Sequence, residues 1–203
     1  MPRVAAADSA VAFVVMLVGP AEPLAEQQAR TTVMFMQASG TPFSEADYAA
    51  AFEYQLQTVR LAQENAPWAA FERINAPARA ARWAEHALIP DSIDTPDLDY
   101  VRRNRGFDAP PWARVRVPVL AIFGGSDPIV PPEPNATVLR RALAANADVS
   151  VHVLPGADHT LARPGASVGQ GEWPARFYRP WTRSPHLFDL LREWFERRSG
   201  FGD

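Results

Sequence analysis

The sequence predicts an α/β fold built on a parallel sheet, and three observations carry that prediction. Two short, unbroken apolar runs, Ala12 to Val18 and Val117 to Phe123, have the length of strands and lack the alternation of a strand with one wet face, which suits strands covered on both faces. A third run, Ser150 to Leu154, alternates more, as an edge position allows. Segments of helical periodicity fill the intervals, so the order is strand, helices, strand, helix, strand, helix.

Taken in order, Ala12 to Val18 stops at Gly19-Pro20, a pair that ends a buried strand. From Pro23 to about Ala38 the pattern is helical. A second helix opens at Ser44, whose hydroxyl is placed to cap amides near Asp47, and Tyr48, Phe52, Leu56 and Val59 give it one apolar stripe. A third helical stretch runs from Trp68 to Leu88 with a break near Pro77, and a fourth starts at Thr95-Pro96. Residues 22 to 105 therefore read as an all-helical block. The second strand, Val117 to Phe123, leaves through Gly124-Gly125-Ser126-Asp127-Pro128. A helix capped by Asn135 follows, with Val138, Leu139 and Leu143 on one side. The third strand leaves through Pro155-Gly156-Ala157-Asp158-His159. After a loop rich in Gly and Pro, Ser184-Pro185 starts a last helix, with Leu187, Leu190, Leu191, Trp194 and Phe195 on one face and a stop near Gly200.

Composition excludes several classes of function. A net charge of -3 over 203 residues provides no basic field for nucleic acid or an anionic membrane surface, and no apolar run reaches the roughly 20 residues of a membrane-spanning helix. With no Cys there is no disulfide, thiolate metal site or thiol nucleophile. All twenty basic residues are Arg, a bias of genome composition to which no recognition task attaches. Asp91, Asp94, Asp97 and Asp99 lack the glycine and terminal glutamate of a calcium loop and read as helix-start charge. Neither a metal nor a cofactor is expected.

In open parallel sheets, reactive groups collect on the loops leaving the carboxyl ends of the strands. Asp127 and His159 both stand on such loops, and a single strand-helix-strand crossover separates them. A carboxylate beside an imidazole fixes its tautomer and stabilises the imidazolium, as a general base serving a nucleophile requires. The pair amounts to two-thirds of a catalytic triad. Each residue alone has a plainer reading, Asp127 as the cap of a turn and His159 as an ordinary loop histidine.

Val117-Pro-Val-Leu-Ala-Ile-Phe-Gly-Gly-Ser-Asp127-Pro-Ile-Val-Pro, followed by Leu154-Pro-Gly-Ala-Asp-His159-Thr, resembles the acid and histidine segments of α/β-hydrolases. The resemblance is closest to esterase-like and serine-aminopeptidase-like members. It implies a partial α/β-hydrolase fold. Residues 1–21 and 106–203 would form the C-terminal part of the core, with the last three strands of the sheet, and residues 22–105 a helical cap inserted between strands. Asp127 would be the triad acid and His159 the general base, with Trp68, Phe71 and Trp83 lining an acyl pocket in the cap. Aromatics at helical spacing more often serve as packing, and that plainer reading stands for all three.

The family's nucleophile sits in Gly-x-Ser-x-Gly on a strand-to-helix turn before the acid. Nothing upstream of Asp127 fits that pattern. Ser9, Ser39, Ser44 and Ser92 lack the context, and Ser126 adjoins the acid itself. The one literal match, Gly165-Ala166-Ser167-Val168-Gly169, follows the histidine, has no strand before it and leads into Gln-Gly-Glu-Trp-Pro, a poor helix start. The resemblance thus implies that the earlier strands, the nucleophile elbow and the oxyanion-hole amides precede residue 1, with Met1 an internal methionine. It further implies a serine hydrolase of carboxylic ester or related acyl bonds, inert as this piece alone. The expected partners are a small-molecule acyl substrate and a complementing N-terminal half, with no nucleic acid or membrane, in the cytoplasm.

Two other readings stand beside it. The chain could be a non-catalytic binding module or one half of a split hydrolase. Alternatively, residues 1–21 could be the signal peptide of a small secreted protein, against which Asp8 offsets Arg3 and the apolar run is short and β-branched. In the secreted case Asn135-Ala-Thr137 would be a glycosylation sequon. Of the remaining imidazoles, His152 alternates inside a strand, His86 lies in the helical block and His186 in the first turn of the last helix; none has a catalytic context. Asp158 has two readings, an aid to His159 through charge placed near the ring and, more plainly, a solvated loop acid.

Overall fold

The computed structural model describes residues 2–105, 111–163 and 183–199. The chain divides into two compact units, one of residues 1–21 and 111–203 and the other of residues 22–110.

The first unit holds a sheet of three parallel strands, β1 (Val14–Leu17), β2 (Val119–Gly124) and β3 (Val149–Leu154), in that order across the sheet. All six residues of β2 are buried, so its unbroken apolar run meets core on both sides. Val119, Ala121 and Phe123 pack with Trp112, Val115, Ala136 and Leu139. Leu120 and Ile122 pack in a separate cluster with Leu154, Leu187 and Trp194. This division by alternate residues is the pleat of the strand made visible. Helix α1 (Pro2–Ala5) precedes β1, α6 (Pro132–Ala142) joins β2 to β3, and α7 (Pro185–Ser199) follows.

β1 and the start of α6 differ from what the sequence predicts. The first strand was expected to be covered on both faces, but of β1 only Val14 is buried and Leu17 is 42 % exposed. Its apolar run is that of an outer strand whose far side has no strand partner among the described residues. Asn135 does not cap α6, which begins three residues earlier, after Pro131. Pro132 instead occupies the first turn, where its fixed φ and missing N–H do no harm. Asn135 is buried within the helix, its amide nitrogen donating to the Pro131 carbonyl at 2.8 Å and its oxygen accepting from the Ala21 amide at 2.7 Å. The side chain thereby ties α6 to the exit of β1. A side chain enclosed in this way is also a poor acceptor for a glycan.

The second unit holds helices and, among its described residues, no strand: α2 (Leu24–Ala38), α3 (Glu45–Gln63), α4 (Trp68–Arg79), a short 3-10 turn (Ala84–His86) and α5 (Pro96–Asn104). Ser44 and Asp47 form a reciprocal capping box at the start of α3, and the Thr95 hydroxyl accepts from the Leu98 amide at the start of α5. Pro77 is accommodated inside α4 near its end rather than breaking it, and the helix stops two residues later. One core cluster joins Leu24, Ala29, Val59, Phe71, Leu98 and Val101. Another joins Met36, Ala51, Tyr54, Ala78 and Trp83.

Candidate active site

The register of the sheet puts Gly124 opposite Leu154, so β2 and β3 end at the same level. Their exit loops then run side by side. Gly125 donates its amide to the Leu154 carbonyl and Ser126 to the Ala157 carbonyl, each at 2.8 Å. The approach is possible because residue 124 is glycine. A β-carbon there would stand 2.3 Å from the Asp158 carbonyl oxygen and 2.6 Å from that of Ala157, and one on Gly125 would stand 2.9 Å from the Leu154 carbonyl oxygen. Both glycines are needed for close approach of backbone to backbone.

Asp127 and His159 meet across this junction. The Asp127 carboxylate is fully buried, and its Oδ2 lies 2.8 Å from His159 Nδ1. Its other oxygen, Oδ1, accepts from the backbone amides of Ile129 at 2.8 Å and Val130 at 3.0 Å. A buried carboxylate is tolerable only when its oxygens are engaged in this way. The plain turn-capping role and the contact with the imidazole are therefore both present, on different oxygens. An ionised carboxylate only accepts, so Nδ1 carries the proton in this contact and Nε2 is the basic nitrogen of the neutral ring.

Asp158 is not the solvated loop acid expected. It is partly buried, and its Oδ1 accepts from the Thr160 amide at 2.8 Å, the Thr160 hydroxyl at 2.8 Å and the Ala162 amide at 3.0 Å. Local side-chain bonds of this kind fold a loop on itself. Arg183 donates to Thr160 Oγ1 at 3.2 Å, and Ala162 and Arg183 form an isolated antiparallel bridge.

The three aromatics considered as pocket residues are not brought into one group. Phe71 is fully buried, with Trp68 stacked on it at 5.8 Å between ring centroids. Trp83 belongs to the other core cluster, 5.4 Å from the Tyr54 ring. It lines a cavity of about 320 Å³ with Tyr54, Ile74, Pro77 and Ala78. Burial raises the Tyr54 phenol above its usual range, and its hydroxyl donates to Asn75 Oδ1 at 2.7 Å. His86 stacks edge-on against Phe43, His186 is exposed on α7 and His152 sits in the middle of β3. Among the described residues no cluster of His, Asp or Glu could hold a metal ion, and no helix is long and apolar enough to cross a membrane. Gly165 to Gly169, with Ser167, lies outside the described residues.

Residues 110–191 match the model of the Dienelactone hydrolase family, which has the α/β-hydrolase fold. Three parallel strands in one open sheet with flanking helices are consistent with a partial α/β-hydrolase fold. The matched segment includes Gly124, Asp127 and His159, and it supports a hydrolase of the α/β type. No curated protein and no solved structure matches the chain. What the sequence did not reveal in this matched segment was supporting rather than reactive: the need for glycine at 124 and the hydrogen bonds that Asp158 makes. Gly124-Gly125 before Ser126-Asp127 was visible as a sharp turn, but its partner across the junction was not.

Proposed function

We propose that this chain supplies the acid, Asp127, and the general base, His159, of a serine-hydrolase triad acting on a carboxylic ester or related acyl bond of a small molecule. The observation that supports it most is the 2.8 Å contact of His159 Nδ1 with a carboxylate that is itself held by two backbone amides. Such an acid orients the ring and offsets the positive charge that develops on it.

The chemistry follows from that geometry. His159 Nε2 takes the proton of a nucleophilic hydroxyl as its oxygen bonds to the acyl carbon. The resulting tetrahedral oxyanion collapses, the imidazolium returns the proton to the departing alcohol, and an acyl-enzyme remains. Water then repeats the cycle in reverse order, activated by the same nitrogen, and releases the acid.

The nucleophile comes from outside the described residues, and we place it in a complementing segment that also brings the oxyanion-hole amides. No serine among the described residues stands in the Gly-x-Ser-x-Gly context. Loss of a triad nucleophile lowers turnover about a millionfold. The chain by itself is therefore expected to resist labelling by a fluorophosphonate probe and to hydrolyse p-nitrophenyl esters no faster than its His159→Ala variant. Co-expression with a complementing N-terminal α/β-hydrolase half that carries a Gly-x-Ser-x-Gly elbow is expected to restore both, in a manner that His159→Ala abolishes. Labelling of the chain alone, mapped by mass spectrometry to Ser167, would overturn the placement of the nucleophile.

A further inference from the structure

The loop that carries His159 is held by its own neighbour. Asp158 Oδ1 takes three hydrogen bonds from residues on the far side of the histidine, the amide and hydroxyl of Thr160 and the amide of Ala162. In return the Asp158 amide donates to the Ala162 carbonyl at 3.3 Å. Between them Leu161 is buried with a φ of +58°, a left-handed conformation that a branched residue adopts only when its surroundings enforce it. Leu161 sits in the core cluster of Leu120, Ile122 and Trp194, and its carbonyl accepts from the Ser184 amide at 2.8 Å.

We propose that Asp158 is a positioning residue for His159: its carboxylate closes the 158–162 turn and so holds the imidazole where Nδ1 reaches Asp127. The carboxylate acts on its neighbour through the backbone. One oxygen gathers the donors at 160 and 162, which leaves residue 159 at the apex of a closed turn with little freedom in its backbone. An open turn would let Leu161 relax out of the left-handed region and swing the ring away. The requirement is for an acceptor at Oδ1 rather than for charge, so an amide oxygen in the same place should serve. The inference rests on the Asp127–His159 pair of the proposed function, and its test reads that pair directly, without needing turnover.

The readout is the downfield proton resonance of the imidazole Nδ1–H held by a carboxylate, recorded by NMR on the full chain. His159→Gln assigns it, and the amide spectrum of β1 to β3 confirms that each variant is folded. The wild type is expected to show the signal, Asp158→Ala to lose it, and Asp158→Asn to restore it to most of its wild-type intensity. If Asp158→Ala does not fold, Thr160→Val decides, since it removes the hydroxyl that bridges Asp158 and Arg183. It is then expected to reduce the signal at least about twofold. Wild-type intensity in folded Asp158→Ala, or in Thr160→Val, would overturn the positioning role while leaving the pair intact. A wild type without the signal would overturn the pair, and the inference with it.

Discussion

Each oxygen of the Asp127 carboxylate meets a different demand, with two backbone amides on Oδ1 and the His159 ring on Oδ2. Steric tolerance at Gly124 is what lets the second contact exist. Gly124→Ala forces a methyl group into the carbonyls of residues 157 and 158, which are backbone and have little room to yield. The expected cost is about 3 kcal/mol, at the upper end for overpacking, read as a lowered denaturant midpoint; an unchanged midpoint would mean that the two exit loops can separate freely. His152 gives the sheet a pH dependence. Burial, followed by the positive charges of Arg197 and Arg140, lowers its pKa below the ordinary 6.5. As pH falls through 6.5 the unfolded chain takes up a proton that the folded chain refuses, so stability present above that pH is lost down to the folded-state value. His152→Gln is expected to flatten this part of the profile of unfolding midpoint against pH, and a profile of unchanged slope would assign the loss elsewhere.

Among the elements, α3 shows how closely local chemistry can specify a helix. The Ser44 side chain accepts from the Asp47 amide at 3.2 Å, and the Asp47 carboxylate accepts from the Ser44 amide at 2.9 Å and its hydroxyl at 2.8 Å. Ser44→Ala removes one half of this exchange and is expected to cost about 1 kcal/mol, the usual value of such a cap, measurable by chemical denaturation monitored through helical circular dichroism. The bonds from Ser44 also lower the Asp47 pKa below 3.8, so the cap holds above that pH and weakens as the carboxylate is protonated below it. The strands depend less on local signals. β2 and the run containing β1 look alike in sequence, yet one is buried at every position and the other at Val14 only, because a strand's burial is decided by its neighbours.

At the scale of the whole molecule, the outer position of β1 predicts behaviour in solution. Phe13, Leu17 and Phe195 are each about two-fifths exposed, and the Phe13 ring lies 5.4 Å from those of Trp194 and Phe195. An apolar outer strand invites pairing between chains, and a lysine on it discourages such pairing. Leu17→Lys is therefore expected to lower the weight-average mass seen by sedimentation at high protein concentration, and an equal mass for both proteins would show that this edge is not the sticky surface. The sequence by itself determined the α/β order, the three strands, the helices with their Ser44 and Thr95 caps, and the two loops that bear Asp127 and His159. Those features rest on periodicity, capping chemistry and turn residues, all of which act over a few positions. It could not determine that α6 starts at Pro132 with Asn135 enclosed and bonded to Ala21, that Trp68 and Trp83 part into different cores, or that Asp158 is bound within its own turn. Only the tertiary structure decided that the two exit loops lie in register, with Gly124 against the 157–158 backbone and Asp127 2.8 Å from His159. The physical reason is that such contacts join residues far apart in the chain, where pairing register and packing, rather than local preference, choose the neighbour.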